Sequence, residues 1–455
     1  MPTVQILDRC TVVTVNPERR VIPDGAVAWD DSGAICSVGP SDEIRAAHPD
    51  ADAIDAEGRV AFPGFVNVHT HTVLTMLRGL AEDLGPHSLY GQMYPMKSIL
   101  TPEDRYTMGM LGCVEALRFG TTTITENYEG STDVAPAIEQ LGMRGVISEI
   151  VNDAVMTDIR QGEYRFSEEQ ADRQLQRSLD QIESWHGAAS GRIICQVSAH
   201  APDTCSRGLL ERLVEISDQR GLGRHIHLAQ TPKEVSQVEL LQGMRSAELL
   251  DATGYLSPRT IAAHCIHIQP HEIEMIGRSG TTVAHCAVIN GKRGKAAPIM
   301  GLEAVGANIA LGSDNMSEDM VDVTRHAMYA NRVREDIGTL PSSHDVIEWL
   351  TINGARAVGL ADQIGSLEPG KQADITVVDF RKPHLAPVFD PVANFAHNAI
   401  GADVEMVFVG GRQLVGDGDV LTIDSGDVVQ EAQERAEHFW RRFEDRFGGT
   451  VMAER

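Results

Sequence analysis

Phe65-Val66-Asn67-Val68-His69-Thr70-His71 is the stretch on which the reading of this chain turns. A β-prone run ends in His-x-His. Successive side chains of a strand point to opposite faces, so His69 and His71 share one face. Two imidazoles on the same face of a strand end can chelate one cation. An isolated His-x-His is more often a packed or surface pair. Its meaning depends on what else the chain brings to the same place.

Outward from this stretch, short β-rich runs alternate with helix-length amphipathic segments. The runs lie at roughly 62–68, 121–126, 145–151, 193–199, 224–229, 260–266, 281–285 and 307–313. Thr101–Phe119 opens with Thr-Pro-Glu-Asp, an N-cap followed by an acidic first turn. Glu168–Trp185 and Arg207–Gln219 are apolar on one face and charged on the other. Gly221 and Gly280 stand where helices should stop. Eight βα units predict an α/β fold over residues 61–364, a (β/α)8 TIM-type barrel with its active site at the C-terminal ends of the strands.

Residues 1–60 and 365–425 read differently, as short alternating strands such as Thr11–Val15, Ala26–Trp29, Asp374–Asp379, Val404–Val409 and Gln413–Val415. They predict a small β-sandwich domain built from both chain ends. Residues 426–455, with the amphipathic stretch Val428–Phe447, predict a C-terminal helix packed outside.

On this plan histidine and carboxylate collect at one rim of the barrel. Strand 1 ends in His69 and His71, strand 5 in His225-Ile226-His227, strand 6 in His264 and strand 8 in Asp314. His227 adds a third neutral nitrogen and Asp314 an anionic oxygen. Such a set suits a borderline divalent ion and leaves room for water, whose pKa the ion lowers to about 7. Zinc is the default; iron, cobalt and manganese accept the same ligands.

Bulk properties exclude other roles. The net charge of −26 repels phosphate backbones, so nucleic acid is not an expected partner. No apolar run approaches the roughly 18–20 residues of a membrane span. Met1–Ile22 lacks the charged-then-apolar order of a signal peptide, which places the protein in the cytoplasm. The seven cysteines are scattered, with no Cys-x-x-Cys, as reduced thiols would be.

The ordered motifs carry a family resemblance. They are Pro63-Gly64-Phe65-Val66-Asn67-Val68-His69-Thr70-His71, His225-Ile226-His227-Leu228-Ala229-Gln230-Thr231, Ala263-His264-Cys265, Val283-Ala284-His285-Cys286, Leu311-Gly312-Ser313-Asp314 and Gly365-Ser366-Leu367-Glu368-Pro369-Gly370-Lys371-Gln372-Ala373-Asp374. Together they resemble the triazine-hydrolase and nucleobase or S-adenosylhomocysteine deaminase branch of the amidohydrolase superfamily, over nearly the whole chain. The resemblance implies one divalent metal on His69, His71, His227 and Asp314. It makes Asp314 also the base, and His264 the partner of the attacking hydroxide or the tetrahedral oxygen. It further implies a homo-oligomer, a small-molecule substrate and a substrate contact from His200. Some superfamily members bridge two metals with a carboxylated lysine on strand 3 or 4. None of Lys97, Lys233, Lys292, Lys295, Lys371 and Lys382 ends either strand, which points to one metal.

Departures from the branch bear on substrate. Deaminases of this branch carry a proton-shuttling glutamate three residues after the strand-5 ligand, where this chain has Gln230. An amide cannot accept and return a proton near neutral pH, and such help is worth roughly 10²–10⁴-fold. Loss of the shuttle harms attack on a heteroaromatic ring more than attack on a polarised carbonyl. Gln230 then positions substrate by hydrogen bonds. Gly91 stands where adenosine-type deaminases have a ribose-binding glutamate, which argues against a nucleoside. Asn315-Met316-Ser317-Glu318 replaces the usual sequence after strand 8. Met76, Met93, Tyr94, Met96 and Met316 are candidates for an apolar pocket wall, and equally for plain core.

The expected activity is hydrolysis of a C–N bond in a small nitrogen-containing molecule, at an amide, urea or carbamate carbon. Two alternatives stand beside it. One is an aminohydrolase or dechlorinase of a heterocycle such as an s-triazine, pterin or purine. The other is a non-catalytic barrel that only binds a ligand.

Overall fold

The computed structural model describes residues 4–82, 94–155, 159 and 163–448. Eight parallel strands follow in chain order: Phe65–Thr70, Thr121–Tyr128, Arg144–Val151, a broken fourth (Ile193–Cys195 and Val197–Ala199), Arg224–Leu228, Thr260–His264, Thr282–His285 and Asn308–Leu311. Each pairs with the next. These are the eight runs read from the sequence. The fourth breaks at Gln196, yet both pieces pair with strand 3, and the Gln196 N–H donates to the Ile147 carbonyl.

Strand 8 meets strand 1 through a single parallel bridge, Thr70 to Asp314. The Asp314 N–H donates to the His69 carbonyl at 2.9 Å, and the His71 N–H donates to the Asp314 carbonyl at 2.7 Å. Gly312 permits this approach: a Cβ there would lie 2.8 Å from the His69 Cβ. Any larger residue would hold the two strand ends apart.

The helices form where their caps require. Thr101 and Asp104 make a reciprocal capping box on Pro102–Arg118, and Ser167 caps Glu168–Trp185. Arg207–Arg220 and Pro270–Ser279 stop at Gly221 and Gly280. The final helix, Ser425–Phe447, lies against Pro102–Arg118. It buries Phe439, Trp440 and Phe443, and the Trp440 indole N–H donates to the Met76 carbonyl at 3.2 Å. No helix of the described residues is long and apolar enough to cross a membrane.

The two chain ends are knitted into one hydrogen-bonded sheet. The joint is Arg59–Pro63, antiparallel to Ile375–Asp379 and parallel to Gln5–Val13. Leu7, Val12, Val27, Trp29 and Phe408 share one apolar cluster, while Ile6, Ala26, Ala28 and Ile44 share another, as period-2 alternation requires. A buried ion pair ties this sheet to the barrel. Arg144, which opens strand 3, donates to both oxygens of Asp374 at 2.7 and 2.9 Å, and Asp374 also accepts from the Gly410 N–H.

Removing the guanidinium strands a buried carboxylate. Arg144→Met is expected to lower stability by about 3–5 kcal/mol. Urea unfolding followed by circular dichroism measures it, and a loss under about 0.5 kcal/mol would show that the pair does not hold the sheet to the barrel.

Candidate active site at the strand ends

The predicted ligands converge. His71 donates its Nδ1–H to the Asn127 carbonyl, and His227 donates its Nδ1–H to the His200 carbonyl at 2.6 Å. Each ring therefore turns an Nε2 lone pair inward, and the two Nε2 atoms stand 3.2 Å apart. Burial lowers both imidazole pKa values, so neither nitrogen carries a spare proton to bridge them. Two nitrogens bound to one tetrahedral zinc-like ion at roughly 2.0–2.1 Å would stand about 3.3 Å apart. The spacing is that of one edge of such a site.

The remaining ligand atoms complete it. His69 Nδ1 is 2.8 Å from His225 Nε2, which turns His69 Nε2 toward the same point. Among the described residues, that Nε2 and Asp314 Oδ2 are buried without a hydrogen-bond partner. Asp314 Oδ1 lies 3.7 Å from His69 Nε2 and 3.5 Å from His71 Nε2. Burial alone would raise the Asp314 pKa; His264, His71, Arg293 and His227 outweigh it and keep the carboxyl below its ordinary value. Three neutral nitrogens and one carboxylate thus fit a single divalent cation. Cys286 also lies close to His69 and His264, but burial pushes its thiol pKa well up, so it stays protonated and is a poor ligand.

His264 is fixed from both sides. Its Nδ1 faces Asn290 Oδ1 at 3.2 Å, and its Nε2 lies 3.0 Å from the Gln230 side-chain nitrogen and 3.8 Å from Asp314 Oδ2. Both His264 and Asp314 hold left-handed backbone, φ 76° and 70°, which non-glycine residues adopt at a cost of about 1–3 kcal/mol. The strain sits at the two residues whose side chains must turn inward from the strand ends. Gln230 is held through its backbone: Glu234 accepts from the Ala229 and Gln230 N–H groups at 2.7 and 2.8 Å.

The cleft above these atoms is lined by His71, Leu74, Lys97, Tyr128, Ile150, His200, His227, Gln230, Arg293, Asp314 and Asn315. His200 and Gln230 are both among the lining residues. Among the described residues, Met76, Met96 and Met316 are not part of the lining. Met316 is buried with its carbonyl accepting from Arg78, and Asn315 takes the place in the cleft. Met76 faces the C-terminal helix beside Trp440. Met96 is buried and is not part of the lining. Met93 and Gly91 lie outside the described residues, as does the Tyr94 side chain.

Sequence reading missed several supports. Glu318 accepts from Thr70 Oγ1 at 2.8 Å, Ser313 Oγ at 2.6 Å and Asn67 Nδ2 at 3.2 Å, clamping strand 1 to strand 8. Its signal was a carboxylate four residues after Asp314. Asn127, His225 and Asn290 hold the three rings, and Lys97 and Arg293 enter the cleft from loops that carry no motif.

Residues 60–414 match the Amidohydrolase family. The chain is 34% identical over 437 residues to the 5-methylthioadenosine/S-adenosylhomocysteine deaminase of Pelotomaculum thermopropionicum, covering 95% of this chain and 98% of that protein. It is 32% identical over 443 residues to the 5'-deoxyadenosine deaminase of Methanosarcina mazei, covering 96% and 98%. An adenosine deaminase from Xanthomonas campestris, solved with bound zinc, superposes with a TM-score of 0.90 at 27% identity, covering 97% of this chain and 99% of that one. The atrazine chlorohydrolase TrzN from Arthrobacter aurescens, solved with zinc, shares the fold with a TM-score of 0.86 at 21% identity, covering 95% and 100%.

Metal analysis by mass spectrometry should find about one divalent transition ion per chain, falling toward zero in His69→Ala and His227→Ala. Glu318→Ala, which touches no ligand side chain, should weaken metal binding by about 10–100-fold. Two ions per chain, or full occupancy in His227→Ala, would defeat this assignment.

Proposed function

The chain belongs to the amidohydrolase family, and from that premise we propose that His69, His71, His227 and Asp314 hold one zinc ion at which a small nitrogen-containing substrate loses an amine or ammonia. The chain is a hydrolase of carbon–nitrogen bonds other than peptide bonds. Zinc is chosen because the Xanthomonas campestris structure holds it and because the donor set suits it. The bound ion supplies Lewis acidity that brings a water's pKa near neutrality.

The chain's own residues do the rest. Asp314 Oδ2, without a hydrogen-bond partner among the described residues, is placed to take the proton of the attacking water. His264 Nε2, 3.8 Å away, faces the same point; it accepts from the Gln230 amide, so its lone pair is placed to accept a hydrogen bond from the attacking water, and it can donate to the oxygen only once it has taken a proton. Gln230 orients the substrate through its amide.

The single observation that supports one carbon over another is the cleft's acid–base inventory. Asp314 is the one carboxylate among its described lining residues, and Gln230 occupies the place beside His264. Asp314 can manage one proton; a ring nitrogen needs a second donor–acceptor that glutamine cannot be. This supports attack on an amide, urea or carbamate carbon. The second reading, removal of an exocyclic amine from a heterocycle, is supported by the names of the relatives, which are nucleoside deaminases.

A panel of amides, ureas, carbamates, adenine nucleosides and aminated triazines, with products identified by mass, decides between them when repeated with Gln230→Glu. On a carbonyl substrate the variant should show no gain in kcat, and a loss where the new carboxylate opposes the oxyanion. A rise of about 10-fold or more on the best wild-type substrate would establish ring deamination instead.

A further inference from the structure

Two side-chain amides flank the Asp314 carboxylate, and each presents an oxygen that accepts nothing. Asn315 is 4% exposed and lines the cleft. Its Nδ2 donates to Asp314 Oδ1 at 2.9 Å. That bond fixes which way the amide faces, since the reversed amide would set its oxygen against the carboxylate. Asn315 Oδ1 is left buried without a hydrogen-bond partner among the described residues.

Gln230 stands at the other end of the carboxylate. Asn290 Oδ1 can only accept, so its 3.2 Å contact with His264 Nδ1 puts the ring proton on Nδ1. His264 Nε2 then carries the lone pair and accepts from Gln230 Nε2 at 3.0 Å. This orients the Gln230 amide as Asp314 orients that of Asn315. Among the described residues the Gln230 Oε1 accepts no hydrogen bond. His264 Nε2 lies 3.8 Å from Asp314 Oδ2, the oxygen placed to take the proton of the attacking water. Asn315 is thus on the Oδ1 side of the carboxylate and Gln230 on the Oδ2 side, and both line one cleft.

An acceptor that substrate binding strips of water without replacing it counts against that substrate. Acceptors on both sides of the base call for N–H donors on both sides of the carbon attacked. A urea has them, because its carbonyl carbon lies between two nitrogens that carry hydrogen. A primary amide or a carbamate supplies a donor on one side only. An aminated triazine or purine supplies one exocyclic amine, and the ring nitrogen beside the attacked carbon is an acceptor that would face an acceptor. A guanidinium supplies enough donors but brings positive charge beside Arg293 and a divalent ion.

We propose that Asn315 and Gln230 are the specificity residues of the cleft, and that they select a substituted urea, R–NH–CO–NH2, through one N–H donor on each side of its carbon. This rests on the reading above that Asp314 directs water onto a carbonyl carbon. Water adds to that carbon, one C–N bond breaks, and the departing nitrogen takes the proton that the water gave up. The products are a carbamic acid and either ammonia or the amine R–NH2.

The test removes one donor at a time. Zinc-loaded enzyme is titrated calorimetrically with benzylurea, benzyl carbamate and N-benzylacetamide, and with the methyl counterparts N-methylurea, methyl carbamate and N-methylacetamide. The carbamate replaces the substituted N–H by an oxygen; the acetamide replaces the terminal NH2 by a methyl. Dissociation constants are compared, or KM for a member that turns over. In at least one series the urea should bind about tenfold or more tighter than each analogue. Asn315→Leu should reduce one of the two preferences to about twofold and spare the other, and Gln230→Met should do the reverse, with zinc content unchanged. Which preference each variant loses identifies the nitrogen its amide receives. A urea within about twofold of either analogue in both series, no saturable binding below about 10 mM, or both preferences surviving both variants would each overturn the assignment. Both preferences intact without hydrolysis of any member would support the selection and count against the hydrolytic reading alone. Hydrolysis with neither preference would overturn the selection alone.

Discussion

Strand 8 must reach strand 1. The seam between them is a single bridge and two backbone hydrogen bonds, yet it brings His69 and His71 beside Asp314. Gly312 gives the clearance, and Glu318 ties Asn67, Thr70 and Ser313 across the joint. The other six strands let the sheet curl far enough to close here, and strands 2, 5 and 6 bring Asn127, His227 and His264 to the same rim. Glu318 is itself fully buried, which pushes its pKa well up against the hydrogen bonds from Ser313 and Thr70. A costly buried carboxyl is retained where it clamps the seam.

Burial then sets the chemistry. The histidines at the rim are shut away from solvent, which disfavours their charged forms and leaves lone pairs for a cation. Backbone carbonyls of Asn127 and His200 fix the tautomers of His71 and His227, so the rings need no reorganisation to bind metal. Strained backbone at His264 and Asp314 turns both side chains toward the same point. Pre-organisation of this kind is paid in folding stability before any substrate arrives.

Family and substrate are decided by different residues. The chain as a whole matches relatives whose names denote nucleoside deaminases. Gln230, Lys97, Arg293 and Asn315 line the cleft, and it is these residues that a substrate there would meet. Where Met316 was a candidate for the cleft wall, the described lining carries Asn315 instead. The difference has a local cause: the chain after Asp314 turns at Met316, φ 67°, which sends the thioether into the interior and presents Asn315.

Sequence alone determined what short-range periodicity and spacing can encode. His-x-His at the end of an alternating run places two rings on one face whatever surrounds it, and eight βα units admit few closures. The caps at Thr101 and Ser167 and the stops at Gly221 and Gly280 are likewise local, because they satisfy backbone groups within one turn. Only the tertiary structure decided which side chains from separate loops share a cavity. Lys97 and Arg293 are 196 positions apart and lie on no common period, so their meeting in one cleft follows from barrel closure. The same holds for Arg144 with Asp374 and for Glu318 with Thr70. Contacts of that range depend on the path of the whole chain, and no window of sequence contains it.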